Sequence, residues 1–331
     1  MKNLLLLGAG RIGQVHAKNV LARKDARLYG VVDVNAAAAA ALADATGAKR
    51  YDTADEALLD AAIDAVMICT STDTHVELIR KSARAKKPIF CEKPVDLDLA
   101  KVDACLTEVK RHGVPLLMGF NRRFDPSFKA LRDRLHAGEL GAVESIKITS
   151  RDPQPPPPAY VKVSGGLFRD MMIHDLDMAR YLLPEEPTHV FATGSVLVDP
   201  AIGAAGDVDT AMVILKTASG RLAHIDNSRR AAFGYDQRIE AFGEKGMLQA
   251  HNPTPTAVVA TTTSGQQSDK PFHFFLERYT AAYQAELDHF LAVLDGKAAP
   301  LVTGDDGRRA LVLADAANES LKTGRLVEVR P

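Results

Sequence analysis

Up to about residue 120, short apolar runs alternate with longer stretches of helical period. Runs near 3–7, 28–33, 65–70, 88–91 and 115–119 have strand length, with helices between them, so the pattern predicts an α/β domain with a parallel, doubly wound sheet. The alanine-rich stretch Ala36 to Ala45 falls where a crossover helix is needed, and alanine is the best helix former. After residue 120 the texture changes to alternating or β-branched runs at 143–150, 188–198, 208–217, 220–228, 236–243 and 256–263, separated by Gly, Asp and Pro turns. These predict an α+β domain with one large, mostly antiparallel, open-faced sheet. Helices near 125–137, 170–183 and 276–295 would cover one face and leave the other for a partner subunit. Gly304 to Thr323 reads as a further helix, placed to pack back on the first domain. The expected division is 1–120 and 121–331, since 331 residues exceed the usual size of one core.

The first strand runs directly into Gly8-Ala9-Gly10-Arg11-Ile12-Gly13. Strand, glycine turn and helix make a dinucleotide-binding arrangement of the Rossmann type. The first glycine permits the turn, the second lets backbone approach a pyrophosphate, and the third lets helix pack on strand. N–H groups at the helix start, around Arg11 and Ile12, bind the anion. Asp33 ends the second strand, 20 residues beyond Gly13, where a carboxylate takes ribose hydroxyls and repels a 2′-phosphate. Val34 and Asn35 offer no arginine for that phosphate, so NAD is favoured over NADP. Strand ends at the carboxyl edge of such a sheet face the ligand. Thr70, Ser71, His75, Glu92 and Lys93 are therefore the further cofactor-binding candidates.

Composition narrows the field. A net charge of −1 with mixed signs argues against nucleic acid, and no apolar run is long enough to span a bilayer or serve as a signal peptide. The expectation is a soluble, cytoplasmic protein with no membrane partner. Cys69, Cys91 and Cys105 are odd in number and lack C-x-x-C spacing, which fits buried, reduced thiols and no zinc site. Pro153-Gln154-Pro155-Pro156-Pro157-Pro158 reads as a stiff loop near the site.

Two further motifs carry chemistry. Glu92-Lys93-Pro94 closes the 88–91 strand and aims Lys93 at the cofactor; taken alone, it is a common surface turn. Gly165-Gly166 leads into a segment in which Asp170 and His174 lie four residues apart. On one helix they would stack at about 5–6 Å between Cβ atoms, with Asp177 on nearly the same stripe. Ile173, Leu176, Ala179, Leu182 and Leu183 would anchor the opposite stripe. Lysine, aspartate and histidine beside NAD suit oxidation of a secondary alcohol. His174 accepts the hydroxyl proton, Lys93 stabilises the developing alkoxide, and Asp170 orients substrate or tunes the other two. The pattern leaves open whether Lys93 or His174 takes the proton first.

Gly8-x-Gly10-Arg11-Ile12-Gly13-x-x-His16, Glu92-Lys93-Pro94, Gly119 through Pro126, and Gly165-Gly166 through Asp170-x-x-x-His174-Asp175-x-Asp177 together resemble the Gfo/Idh/MocA oxidoreductases. The similarity includes Ser150-Arg151-Asp152-Pro153 and Gly234-Tyr235-Asp236-Gln237-Arg238. It implies a Rossmann domain followed by an open-faced α/β domain, NAD as cofactor, and a homotetramer built through the open sheet faces. It also implies a small polyol substrate, myo-inositol oxidised at one hydroxyl to a scyllo-inosose, with scyllo-inositol, D-chiro-inositol or an aldose as alternatives. The family's catalytic residues fall on Lys93, Asp170 and His174. Specificity for a polyol must come from polar groups, for which Arg122 or Arg123, Asp152 and Tyr235 are the substrate-binding candidates.

Two rivals differ in class. A metal could take ligands from His174, Asp170, Asp175 and Asp177, but Asp175 lies about 100° round a helix from His174. A redox sensor or regulatory subunit would keep the NAD fold with degenerate catalytic positions, whereas Lys93, Asp170 and His174 are intact.

Overall fold

Six strands form the first sheet: Lys2–Leu7 (β1), Ala26–Val32 (β2), Lys49–Arg50 (β3), Ala65–Ile68 (β4), Ile89–Glu92 (β5) and Leu116–Gly119 (β6). All are parallel, in the order β3-β2-β1-β4-β5-β6. Leu4 through Leu7, Val66, Ile68 and Phe90 are buried, which is why these strands read as unbroken apolar runs. The helices between them are Arg11–Leu21 (α1), Ala36–Thr46 (α2), Ala54–Leu58 (α3), Thr72–Arg84 (α4) and Leu99–His112 (α5). Asn35 and Asp98 cap α2 and α5 with side-chain oxygens, and Gly47 and Gly113 end them in the left-handed conformation.

The computed structural model describes residues 1–330. They divide into two compact units, Met1–Phe124 with Ala282–Arg309 and Asp125–Ala281 with the residues from Ala310 onward. The sequence places the boundary at 120 with the last helix packing back on the first domain; in the structure, Ala282–Arg309 groups with the first unit and the residues from Ala310 onward with the second. Tertiary pairing decides it: Met118 N–H donates to the Val302 carbonyl at 2.9 Å, and the Phe290 ring lies 5.9 Å from that of Phe90.

The second unit is built on Val143–Arg151 (β7), Pro187–Ser195 (β8), Thr210–Thr217 (β9), Leu222–Ser228 (β10), Asp236–Gly243 (β11) and Gly246–Ala250 (β12). Val259–Thr262 (β13), Gly265–Ser268 (β14) and Val327–Glu328 (β15) complete the strands. The sheet order is β12-β11-β7-β10-β9-β8-β15, antiparallel except where β7 and β10 run side by side in parallel. The 256–263 run, expected in this sheet, instead pairs as a separate β13–β14 hairpin with every residue exposed, because neither face of it is apolar enough to bury.

The remaining helices are Pro126–His136 (α6), Pro158–Ser164 (α7), Gly166–Asp170 (α8), Ile173–Leu182 (α9), Pro200–Ala204 (α10), Phe275–Arg278 (α11), Thr280–Leu294 (α12) and Gly304–Thr323 (α13). The single helix expected over 170–183 is two. The Met171 and Met172 N–H groups both turn back to the Leu167 carbonyl, so Asp170 closes α8 and His174 falls in the first turn of α9. Ile173, Leu176, Ala179, Leu182 and Leu183 are buried as the apolar stripe requires, and α9 packs on β7 and β10.

Candidate active site

The order of the first sheet reverses between β1 and β4, and open α/β sheets bind ligands at the carboxyl edge of such a reversal. Gly8 adopts φ +102°, and a Cβ there would lie 2.5 Å from the Cys69 carbonyl oxygen. A Cβ on Gly13 would stand 2.0 Å from the Gly8 oxygen, whereas at Gly10 nothing lies within 4 Å. The first and third glycines thus pack backbone on backbone, and the second leaves space. Helix α1 starts at Gly10 without a side-chain cap, so its N–H groups remain available to an anion. Asp33 is clamped just beyond β2: Oδ2 accepts from Ala9 N–H at 2.6 Å and Oδ1 from Asn35 N–H at 2.7 Å. The Asn35 side chain is spent on capping α2. These residues fit NAD, with α1 for the pyrophosphate and Asp33 for the ribose hydroxyls.

Farther along the same edge the peptide bond Lys93–Pro94 is cis. His75 is buried, with Nδ1 at 2.7 Å from the Pro94 carbonyl and Nε2 at 3.1 Å from that of Thr70. Burial pulls this imidazole below its usual value, against the two carbonyls. His75 therefore ties the end of β4 to the Lys93–Pro94 turn. The Thr70 hydroxyl bonds that of Thr74 at 2.7 Å, and Ser71 sits at the N-cap of α4. Glu92 turns inward, its Oε1 lying 2.8 Å from Nε2 of His16 on α1. Glu286 of α12 completes a buried group whose ligand-type atoms lie within 4.8 Å of one another. Neither Glu286 oxygen meets a hydrogen-bond donor, and burial, reinforced by the Glu92 charge, holds that carboxyl well above the ordinary carboxylate range. The His16–Glu92 contact fastens the strand that leads into Lys93 to helix α1.

In the second unit, two successive left-handed glycines, Gly165 (φ +86°) and Gly166 (φ +81°), separate α7 from α8. A Cβ on Gly166 would sit 2.8 Å from the carboxylate of Asp207, whose Oδ2 accepts from Leu167 N–H at 2.9 Å. Asp170 at the end of α8 accepts from Tyr160 Oη at 3.0 Å and from Arg229 Nη2 at 3.2 Å. Arg229 Nη1 reaches Asp152 at 3.1 Å. Burial works to lower the Arg229 guanidinium and the two carboxylates outweigh it, holding it above the usual arginine value. Tyr160 follows the proline-rich stretch, so that loop serves the candidate site. Asp175 and Asp177 have partners of their own. Asp175 accepts from Asn227 Nδ2 at 3.0 Å, Asp177 pairs with Arg180 at 3.7 Å, and both are buried.

Comparison with known proteins decides the family. Residues 2–120 match the oxidoreductase family with an NAD-binding Rossmann fold, and residues 128–249 match the GFO/IDH/MocA C-terminal domain. The chain belongs to the Gfo/Idh/MocA oxidoreductases. It is 53% identical over 325 residues to the inositol 2-dehydrogenase of Rhizobium meliloti, covering 98% of both chains. To the myo-inositol 2-dehydrogenase of Thermotoga maritima it is 49% identical, covering 98% of this chain and 97% of that one. A crystal structure of a myo-inositol dehydrogenase from Corynebacterium glutamicum superposes with a TM-score of 0.96 at 44% identity, covering 100% of this chain and 99% of the other.

Within this Gfo/Idh/MocA oxidoreductase, two of the residues expected to contact substrate, Arg123 and Tyr235, also have protein partners. Arg123 Nη2 pairs with Asp306 at 3.0 Å and Nη1 with the Leu301 carbonyl at 3.4 Å, which anchors the start of α13. Tyr235 is buried in an aromatic cluster, its ring 6.0 Å from Tyr279 and 6.5 Å from Phe274. Asp152 does join Asp170, through Arg229. Neither Arg229 nor Tyr160 was legible as a site residue. The signal that could have found Arg229 is register: Arg151 pairs with Ser228 across the parallel β7/β10 ladder, so Asp152 and Arg229 leave the sheet side by side.

Proposed function

We propose that this enzyme oxidises the C2 hydroxyl of myo-inositol to the 2-keto product, with NAD as hydride acceptor. Near-full-length identity to the Rhizobium meliloti inositol 2-dehydrogenase carries the reading. Bound at the glycine loop, NAD supplies the hydride-accepting ring. Lys93 Nζ donates to the reacting oxygen and stabilises its alkoxide character, and the His174 imidazole takes the hydroxyl proton. Asp170, held by Arg229 and Tyr160, accepts from a neighbouring hydroxyl and fixes the ring that the polyol presents. Asp152 offers a second acceptor beside it. A ring isomer with one hydroxyl inverted leaves one of these acceptors unpaired, which is the basis for discrimination.

The assembly proposed is a homotetramer built through the open sheet face. Phe191, Met212, Ile214, Leu222, Phe242 and Met247 are exposed while their strand neighbours are buried, and Phe191 pairs with Ile214 and Phe242 with Met247 across the ladders. An apolar stripe of this kind marks an interaction surface. No helix among the described residues is long and apolar enough to cross a membrane, and the proposed location is the cytoplasm.

The deciding experiment follows NADH formation with a panel of inositols and aldoses, each with NAD and with NADP. Preference for myo-inositol with NAD is the expected result. Preference for scyllo-inositol or an aldose would keep the residue roles and replace the substrate, and no turnover on any of them would revive the redox-sensor reading.

A further inference from the structure

We propose that Arg229 is a positioning residue for the reaction, gathering Asp170 and Asp152 around one guanidinium so that both carboxylates meet the substrate ionised and in fixed orientation. The assignment rests on the reading of Asp170 and His174 as catalytic. Arg229 directly follows β10 and its side chain is 5% exposed, so its charge is compensated by protein groups. Its two terminal nitrogens go to different carboxylates, Nη1 to Asp152 Oδ2 at 3.1 Å and Nη2 to Asp170 Oδ2 at 3.2 Å. Its backbone N–H donates to the Asp209 carbonyl at 2.8 Å, which fixes where the side chain starts. A planar guanidinium with fixed donor directions sets both carboxylates in position, which the single ammonium of a lysine does not do.

The groups facing this corner come from several elements. Asp152 follows β7, Asp170 closes α8 and Tyr160 comes from α7. Asp207 precedes β9. Burial raises the Asp207 carboxyl, N–H bonds from Leu167 and Val208 lower it, and it feels both Arg229 and Asp170. Arg229 thus bonds two of these carboxylates and is felt by the third. With the guanidinium gone, the carboxylates face like charge in a partly buried site, and the least costly response is for one of them to take a proton. A protonated Asp170 or Asp152 presents an O–H where the substrate needs an acceptor.

The test uses the full-length enzyme with Arg229→Met and Arg229→Lys. Infrared difference spectra at neutral pH, variant minus wild type, should show an additional protonated-carboxyl C=O band for Arg229→Met and none for Arg229→Lys, because lysine keeps the charge; the band of the buried Glu286 is common to all three and cancels. Both variants should lose turnover on the order of 10²-fold, as expected when an acceptor is misplaced by about 1 Å. NAD affinity should be unchanged, since the glycine loop lies in the other unit. In Arg229→Met the acid limb of the kcat profile should move to higher pH, whereas Arg229→Lys should keep the wild-type profile at a lower kcat. Spectra of Arg229→Met matching the wild type overturn the assignment whether or not any polyol is turned over. Wild-type kcat in Arg229→Lys overturns the geometric half of it even if Arg229→Met fails to fold. A wild type that oxidises no polyol would refute the proposed function alone, because the infrared result stands apart from turnover.

Discussion

The glycine edge of the first unit and the Asp152–Arg229–Asp170 corner of the second both manage charge, using different materials. At the glycine edge the functional groups are backbone N–H donors at the start of α1, placed by a local turn, with Asp33 alone contributing a side chain from the next strand. At the corner every functional group is a side chain, and the three stand just beyond β7, at the end of α8 and just beyond β10, which meet only after the chain has folded. Substitutions should therefore damage the first through shape and the second through charge.

The largest effect is expected where chemistry itself is removed. Lys93→Ala and His174→Ala should each lower kcat by about 10²- to 10⁴-fold, the range of proton-transfer and alkoxide-stabilising groups, with NAD affinity kept. Steady-state rates beside a fluorescence titration of NAD separate the two quantities, and wild-type turnover in either variant removes that residue from the mechanism.

Next is shape in the glycine loop. Gly13→Ala forces a Cβ to 2.0 Å from the Gly8 oxygen, so it should cost about 4 kcal/mol or more of stability and abolish NAD binding. Gly10→Ala meets no protein atom within 4 Å, so its melting temperature should match the wild type while its NAD affinity falls. Equal melting temperatures for the two would dissolve the distinction between a packing glycine and a ligand-facing one.

Asp33→Ser tests the one side chain at that edge. Loss of a charge-assisted contact to the ribose should weaken NAD by about 10- to 100-fold, from ~1.5–3 kcal/mol, and relax rejection of NADP. Unchanged discrimination between the two cofactors would show that the selecting acid lies elsewhere.

The smallest effect on activity concerns Glu286, buried charge chemistry inside the backbone-built unit. Burial, with the Glu92 charge behind it, raises this carboxyl in the folded chain, whereas unfolded it titrates near ~4.3. The folded state thus holds a proton that the unfolded state has released. The stability it contributes is complete below the unfolded value and is lost as pH rises toward the raised one. Glu286→Gln keeps the shape of the neutral acid and removes the titration. Denaturant unfolding from about pH 5 to 8 should show the wild type falling relative to the variant, by at most ~1.4 kcal/mol per pH unit. Parallel curves would mean that Glu286 is ionised in the folded chain.

Legibility followed the same division. The Rossmann half could be read because each device in it is local: Leu4 to Leu7 run straight into Gly8, and Asp33 ends the very next strand of the same β-α-β unit. The protein partners of His75 and Arg123 were not legible, because they are backbone carbonyls and a helix start distant along the chain. The helix expected over 170–183 failed at Met171–Met172, where both N–H groups return to Leu167 and residue types that suit a helix give no warning.

By itself the sequence determined the two-part fold, the glycine turn with its acid, the apolar anchor of α9 and the three residues proposed for catalysis. Spacing of apolar and special residues encodes these within a few turns of chain. Only the tertiary structure decided that 282–309 returns to the first unit, that Glu92 faces His16 and Glu286, and that Arg229 stands between Asp152 and Asp170. Each of these joins segments distant along the chain, and such pairings are set by strand order and parallel register, which no local pattern specifies.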